Sequence, residues 1–397
     1  MDELEESSPG SEVVAVGLRG IAYANITAIL WLEGAVAALY GPLLLTIAKK
    51  FQVSLPQAGG VLSVHFVGAL VGVAIGWIAM RRVRGGLVVS AALVCLALGA
   101  LAVALTAGWG LFLGSIFVIG LGFGGLSCAV NSLLARTALA GRPRRLSIAN
   151  AGYCVGAIMG PLLVILVRPR HYTLLFGAAA AVAALLSTMN RGIIAPPQSA
   201  VDRRHELSSP RSNRRSIVIT FILAYLLYEA AESSSSGWIA AQLHREGHSA
   251  TLGSLITGCF WLGLAFGRIA GGPLHRRFAE RALVLVGLSA ALVCAAVAYS
   301  ATVAPYAYPV LGLALASVYP MGIVWFTRLC PHDRNGLALI VFCMMAGGVL
   351  GPGAESLLVS LVGVHVVPVV IAVLITLDLG VFASARRFTA PALDVIQ

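Results

Sequence analysis

Five acidic residues lie inside long apolar segments of this chain, where an ionised side chain is costly. They are Glu33, Glu229, Glu232, Glu355 and Asp378. A charged residue at the centre of a bilayer costs roughly 2.5–3.5 kcal/mol on insertion scales, so such residues mark ion or solute pathways by default. Because desolvation disfavours the charged form, a carboxylate in such a place can load and release a proton near neutral pH.

The segment 217–242 is the strongest candidate for this chemistry. Tyr225, Glu229, Glu232 and Ser236 follow helical spacing and share one face. Two ionised glutamates one turn apart repel each other, which favours protonation of one of them. The alternative is a structural role beside a buried arginine or a backbone group. We see no Lys or Arg deep in the apolar segments, which favours proton coupling.

Composition shows what kind of protein carries these residues. Of 397 residues, 59% are hydrophobic and 11% are charged, and the mean hydropathy is +0.91. Soluble domains carry about 25% charged residues. The chain is therefore predicted to be an integral membrane protein. Its seven cysteines have no paired spacing, so neither a metal site nor a disulfide framework is expected.

A bilayer crossing needs about 20 mostly apolar residues. The sequence predicts an all-α membrane protein with twelve crossings, at 20–47, 58–80, 86–106, 110–135, 146–167, 172–189, 217–242, 250–274, 282–303, 306–327, 336–361 and 366–385.

The basic residues predict the orientation. With both termini in the cytoplasm, 22 of the 27 Lys and Arg residues fall on the cytoplasmic side, as the positive-inside rule requires. The net charge of +11 is then a topology signal and not a nucleic-acid patch. We expect a multi-pass protein of the inner (cytoplasmic) membrane, contacting lipids and functional as a monomer.

The chain divides into two repeated halves. We predict a tail at 1–17, a six-helix bundle at 18–189, a polar linker at 190–215, a second bundle at 216–388 and a tail at 389–397. An offset of 196 carries Glu33 onto Glu229. Two repeated halves with polar groups near mid-membrane are typical of alternating-access transporters.

The sequence predicts different roles for Glu355 and Asp378. Glu355 follows Gly351-Pro352-Gly353, which we expect to break its helix and expose backbone to a cavity. Asp378 lies near the cytoplasmic end of the last crossing, where a structural pair is favoured. Proton-coupling candidates are thus Glu232, Glu229, Glu33 and Glu355.

Two loops resemble the signature of the major facilitator superfamily. The first reads Gly76-Trp-Ile-Ala-Met80-Arg81-Arg-Val-Arg84, and the second keeps Gly272, Arg277 and Arg281. The resemblance implies the fold of two six-helix bundles and makes these residues candidates for a cytoplasmic gate: Gly76, Arg81, Arg84, Gly272, Arg277 and Arg281. Met80 stands where the family has an Asp that helps latch the halves.

Other motifs resemble the fucose-permease-type branch of that superfamily. They are the glycine-rich run Gly120–Asn131, the stretch Tyr228–Ile239 and the stretch Gly312–Pro320. The branch often has an acidic residue where Ser127 stands. Substrate-binding candidates, each with packing as the alternative, are Asn131, Tyr153, Tyr228, Trp238, Trp261 and Tyr319.

These observations predict a secondary active transporter and not an enzyme. The resemblance implies proton-coupled symport of a sugar-like or other polar solute. An antiporter that exports a cationic or amphipathic compound is the alternative, and a non-transporting receptor or scaffold is a more remote one. No Walker-type nucleotide motif is present in the sequence, and no cofactor is expected, because a proton gradient would supply the energy.

Overall fold

The computed structural model describes residues 20–139, 143–192, 211–330 and 333–388. These residues form helices and no strand. The helices are α1 (Gly20–Ala37), α2 (Tyr40–Phe51), α3 (Leu55–Arg82), α4 (Gly85–Leu105), α5 (Trp109–Leu139), α6 (Pro143–Val167), α7 (Tyr172–Thr188), α8 (Arg211–Arg245), α9 (Ala250–His275), α10 (Glu280–Val297), α11 (Ala304–Leu315), α12 (Val318–Leu329), α13 (Arg334–Val362) and α14 (Val367–Ser384).

The predicted all-α membrane fold is confirmed. Ten spans in the described part of the chain are long and apolar enough to cross a membrane, and the bent pair α1–α2 adds an eleventh. The remaining predicted crossing is α6, whose apolar part Ala151–Val167 is shorter. Both predicted tails and most of the predicted linker 190–215 lie outside the described residues. Helix α8 begins at Arg211, inside the predicted linker.

Two predicted crossings are interrupted, and a proline explains each break. The first bends by 47° at Ala38 and Leu39, and the tenth breaks between α11 and α12. A proline inside a helix lacks the N–H that would bond the carbonyl four residues earlier, and its ring crowds that carbonyl. Pro42 acts in this way on Ala38, and Pro320 acts on Ala316.

The predicted break at Gly351-Pro352-Gly353 is wrong. Helix α13 runs continuously from Arg334 to Val362 with Pro352 inside it. The Ser63 hydroxyl of α3 donates a hydrogen bond of 2.8 Å to the Val349 carbonyl, in the turn before the proline. Hydroxyls of neighbouring helices commonly satisfy backbone groups that a membrane proline disturbs.

Each half of the chain has its own apolar core, one built by α1–α7 and the other mainly by α8–α14. Similar close helix contacts recur in both. Gly68 and Gly72 of α3 pack on the backbone of α5, and Gly263 and Gly267 of α9 pack on the backbone of α11, 195 positions later. Small residues at such contacts let membrane helices approach closely.

The halves touch mainly towards one side of the membrane. We call the side carrying Arg81, Arg84, Arg277 and Arg281 the arginine-rich face, and the other side the opposite face. Towards the opposite face α2 packs on α8 and α3 packs on α13, while α6 packs on α9 deeper in the bundle. Within the described residues, no hydrogen bond or ion pair joins the two halves at the arginine-rich face.

Candidate functional site

Glu232 of α8 lies at the centre of a polar cluster between the halves. It is 8% exposed, and its carboxylate accepts a hydrogen bond from the Tyr228 hydroxyl one turn earlier on the same helix. Its Oε2 also lies 3.5 Å from the Arg268 Nη2 of α9. A proton on Glu232 would remove one side of this ion pair. The residue is therefore placed where protonation can change the contacts of a neighbouring helix.

Aromatic rings surround this ion pair. Tyr228 and Tyr319 are nearly parallel, with centroids 6.5 Å apart and an interplanar angle of 28°. The Arg268 guanidinium carbon lies 6.0 Å from the Tyr319 ring centroid, at the outer limit of a cation–π contact. The Tyr225 hydroxyl donates to the Tyr319 carbonyl at 2.7 Å. Tyr228 and Tyr319, both predicted substrate residues, thus belong to the Glu232 cluster.

Arg268 is the functional residue that sequence reasoning missed. Its backbone lies towards the end of α9, but its long side chain brings the guanidinium to Glu232 inside the bundle. The prediction that no Lys or Arg lies deep in the apolar segments is therefore wrong. One signal was available, since Arg268 lies seven positions after Trp261 and hence on the same helical face.

Glu33 of α1 is almost fully buried and has a partner on α5. The Ser127 hydroxyl donates to Glu33 Oε1 at 3.0 Å, and Glu33 Oε2 has no hydrogen-bond partner among the described residues. The hydroxyl and the carboxylate of this pair thus come from different helices.

Glu229 is only partly buried and packs near Gly347 of α13. Its carboxylate takes part in no hydrogen bond or ion pair among the described residues, although Glu232 and Arg268 lie within electrostatic range. An unpaired, partly exposed carboxylate beside a paired one is suited to meet a proton or a cationic group of a solute.

Tyr153 of α6 connects the carboxylates. Its ring lies 6.3 Å from the Trp261 ring of α9, and its hydroxyl is within electrostatic range of Glu33, Glu229 and Glu232. The structure thus brings together residues of α1, α5, α6, α8, α9 and α12. We call this set the central cluster: Glu33, Ser127, Tyr153, Tyr228, Glu229, Glu232, Trp261, Arg268 and Tyr319.

Three predicted site residues lie elsewhere. Asn131 shares a face of α5 with Ser127 but lies one turn closer to the arginine-rich face and is exposed. Trp238 and Glu355 are fully buried near the opposite face and, among the described residues, make no hydrogen bond or ring contact with the central cluster. Asp378 is buried, and both its carboxylate oxygens lack a hydrogen-bond partner among the described residues, so the expected structural pair is not observed.

The gate candidates form no latch among the residues described. Gly76 packs against α5 of its own half, and the Arg81 guanidinium stacks 3.7 Å above the neighbouring Trp77 ring. Arg84, Arg277 and Arg281 are exposed and make no ion pair within the described part of the chain. The surroundings of Gly272 lie outside the described residues.

The central cluster contains three carboxylates and one guanidinium, a set suited to binding protons and polar or cationic solutes. No group of His, Cys, Asp and Glu residues suited to a metal ion occurs among the described residues. Surface cavities of about 330 and 470 Å³ lie at the opposite face around Glu246. Neither reaches the central cluster, so they do not mark the candidate site.

Comparison with known proteins supports the fold. A sequence model described as Major Facilitator Superfamily matches residues 26–352. A D-xylose-proton symporter has 14% identity and a TM-score of 0.75, over 91% of this chain and 96% of that chain. A POT family transporter in complex with 5-aminolevulinic acid has 12% identity and a TM-score of 0.77, over 94% and 96%.

A third similar structure is a bacterial homolog of the human lysosomal transporter Spinster, inward-facing and unoccupied. It has 16% identity and a TM-score of 0.73, over 93% of this chain and 97% of that chain. At such identities the likeness shows the fold alone. No curated protein shows significant sequence similarity to this chain.

Proposed function

Because this chain belongs to the major facilitator superfamily, we propose that it is a proton-coupled secondary transporter of a small polar organic solute. The solute would bind at the central cluster, with Glu232 as the principal proton site and with Glu229 and Glu33 beside it. The fold of two halves that touch towards one side supports alternating access, in which the halves rock around a central site. The predicted topology makes the arginine-rich face cytoplasmic.

The observation that carries this proposal is the position of Glu232 between Tyr228 and Arg268. Ionised Glu232 attracts Arg268 and holds α9 against α8. Protonated Glu232 keeps its contact with Tyr228 but loses that attraction, which frees the guanidinium for a polar group of the solute. Proton binding and solute binding then act on the same side chain, as coupling requires.

Export of a cationic compound in exchange for protons is the second candidate. The observation in its favour is Glu229, a partly exposed carboxylate without a hydrogen bond or ion pair among the described residues. A cationic group bound there would compete with a proton for the same carboxylate. The aromatic rings of Tyr153 and Trp261 would then provide an apolar and cation–π wall.

Reconstitution in liposomes with an imposed pH gradient tests both candidates. A panel of labelled neutral, zwitterionic and cationic solutes is followed in both directions. Solute that moves with the proton flux and accumulates on the less acidic side supports symport, whereas solute that accumulates on the acidic side supports antiport. Flux that ignores the pH gradient and persists in Glu232→Gln and Glu229→Gln rejects proton coupling. No flux for any solute of the panel would instead support the receptor or scaffold alternative.

A further inference from the structure

A second carboxylate site lies near the opposite face, away from the central cluster. Glu355 of α13 is 0% exposed, and neither of its carboxylate oxygens has a hydrogen-bond partner among the described residues. The Ser234 hydroxyl of α8 is its neighbour, but the contact does not meet hydrogen-bond geometry. The side-chain polar atoms of Trp238 and Ser356 are also buried without described partners.

The groups that face Glu355 offer no positive charge. On α11 the Tyr308 phenol is the titratable neighbour, and its hydroxyl already donates to Gln242 of α8. Glu246 lies beyond Gln242, which donates to it at 2.7 Å, and its charge has the same sign as an ionised Glu355. The residues of α3 that pack on the adjoining parts of α8 and α13, Gly59 and Ser63, are not titratable.

Helix α3 of the first half packs against the residues next to this site. Gly59 packs directly on the Trp238 ring and the Ser356 hydroxyl, so closely that a β-carbon there would collide with both. Ser63 donates to the Val349 carbonyl one and a half turns before Glu355. We call this contact of α3 with α8 and α13 the opposite-face gate. In this closed state of the gate, Glu355 is fully buried.

We propose that Glu355 is a proton-binding site that controls the opposite-face gate. With the gate closed, an ionised Glu355 would be a buried charge without a counter-ion, which is strongly unfavourable. A proton makes the carboxyl neutral and allows closure. When α3 separates from α8 and α13, water reaches the site, and Glu355 exchanges its proton with the solution on that side. Protons therefore stabilise the closed gate.

This role is separate from the exchange at Glu232 and rests on the proposed alternating access for its physiological meaning. If the opposite face lies outside the cell, as the topology predicts, external protons would close the outer gate and move the transporter towards its cytoplasmic opening. The proposed control of the gate by protons does not depend on which solute is transported, so the gate can be studied without a known solute.

The test is a distance measurement across the gate by pulsed electron resonance in lipid nanodiscs. Spin-labelled non-natural amino acids replace Lys50 at the end of α2 and Leu361 at the end of α13, both exposed. This design keeps the seven native cysteines in place. In the otherwise unchanged chain, raising the pH from about 5 to about 9 is expected to increase the ratio of open to closed molecules. The increase should approach tenfold per pH unit, which is the limit for the release of one proton.

Variants assign the response to Glu355. Glu355→Gln removes the charge with little change of shape and is expected to remain closed at every pH. Glu355→Leu is a second neutral variant with the same expectation, in case the first does not fold. Asp378→Asn is the matched control, since it neutralises another buried carboxylate without described partners but away from the gate, and its pH response should equal that of the unmutated chain.

A gate that does not respond to pH in the unmutated chain would overturn the proposal, as would an unchanged pH response in a folded Glu355 variant. Liposome flux is measured in parallel. A pH-dependent gate together with flux that ignores the pH gradient rejects the proposed coupling at Glu232 but not the gate. Proton-driven flux together with a pH-independent gate rejects the gate proposal alone.

Discussion

The guanidinium of Arg268 contacts both halves of the molecule: its Nη2 lies 3.5 Å from Glu232 Oε2 of the second half. On its other side, Nη1 lies 3.9 Å from the Cys154 sulfur of the first half. The side chain is 27% exposed, so the pair is partly shielded from solvent. Arg268 is therefore a residue through which the charge state of Glu232 can reach the contact between the halves.

Arg268→Ala is predicted to destabilise the protein, because it leaves the buried Glu232 without its cation. Breaking a fully buried pair costs about 3–5 kcal/mol, and the partial exposure of Arg268 lowers the value expected here. Thermal unfolding in detergent measures the change. The double variant Arg268→Ala/Glu232→Gln should recover part of the loss, because no unpaired charge remains. Strictly additive effects of the two changes would contradict an interaction between these residues.

Glu232→Gln is predicted to abolish solute accumulation driven by a pH gradient while leaving solute exchange at equal pH in place. The amide cannot exchange a proton, but it preserves the size of the side chain and can still accept the Tyr228 hydrogen bond. Counterflow and gradient-driven uptake in liposomes separate the two activities. The control is Glu280→Gln, whose carboxylate pairs with Arg328 near the arginine-rich face. Full gradient-driven accumulation in Glu232→Gln would refute its role as the principal proton site.

Ser127→Ala removes the hydrogen-bond donor of Glu33. A hydrogen bond to a neutral carboxyl contributes about 0.5–1.5 kcal/mol, so a loss of thermal stability of about that size is expected. Ser115→Ala is the matched control on the same helix, since its hydroxyl donates to the Leu111 carbonyl of its own helix and to no other helix among the described residues. Equal stability of the two variants would show that the contact between Ser127 and Glu33 contributes nothing.

Asp333, just before α13, gives a prediction about pH. The Arg214 side chain contacts its two oxygens at 2.7 Å, and the Gly336 N–H donates to it at 2.8 Å. Arg214 first, and this N–H second, hold the pKa of Asp333 below its usual value. Because the folded-state pKa is lowered, the stabilisation is present above the unfolded pKa of about 3.9 and is lost as pH falls through the folded value.

Asp333→Asn should therefore lower stability at neutral pH and lose most of this deficit below about pH 3. The expected size is about 0.2–1 kcal/mol, because the Arg214 side chain is 44% exposed and asparagine still caps the helix. Thermal unfolding at both pH values provides the measurement. A deficit of equal size at neutral and acidic pH would indicate that the carboxylate charge is not its source.

Gly59→Ala is predicted to open the opposite-face gate at all pH values. The added methyl group would collide with the Trp238 ring and Ser356, so closure would require α3 to move away. Gly60→Ala is the matched control, because a β-carbon at Gly60 has no neighbour within 4 Å. The spin-label distance between positions 50 and 361 measures gate opening in both variants. A closed gate in Gly59→Ala would mean that this contact does not govern closure.

The sequence alone determined the properties that depend on local composition. Runs of about 20 apolar residues predicted the helical segments, and repeated loop motifs indicated the superfamily. The carboxylates could be found in the same way, because an acid inside an apolar run is visible without knowing its neighbours. The superfamily is confirmed, whereas the fucose-permease-type branch, the orientation and proton coupling stay predictions.

Only the tertiary structure decided which of these residues meet. Sequence position assigned Arg268 to a membrane boundary, but the length of its side chain and the packing of α9 on α8 bring it to Glu232. The sequence predicts Trp238 as a substrate residue and Glu355 as a proton-coupling residue, but both are fully buried near the opposite face, where α3 packs on the Trp238 ring. Depth along a helix can be read from the sequence. Partners on other helices cannot, because they depend on helix rotation, tilt and the state of the gate.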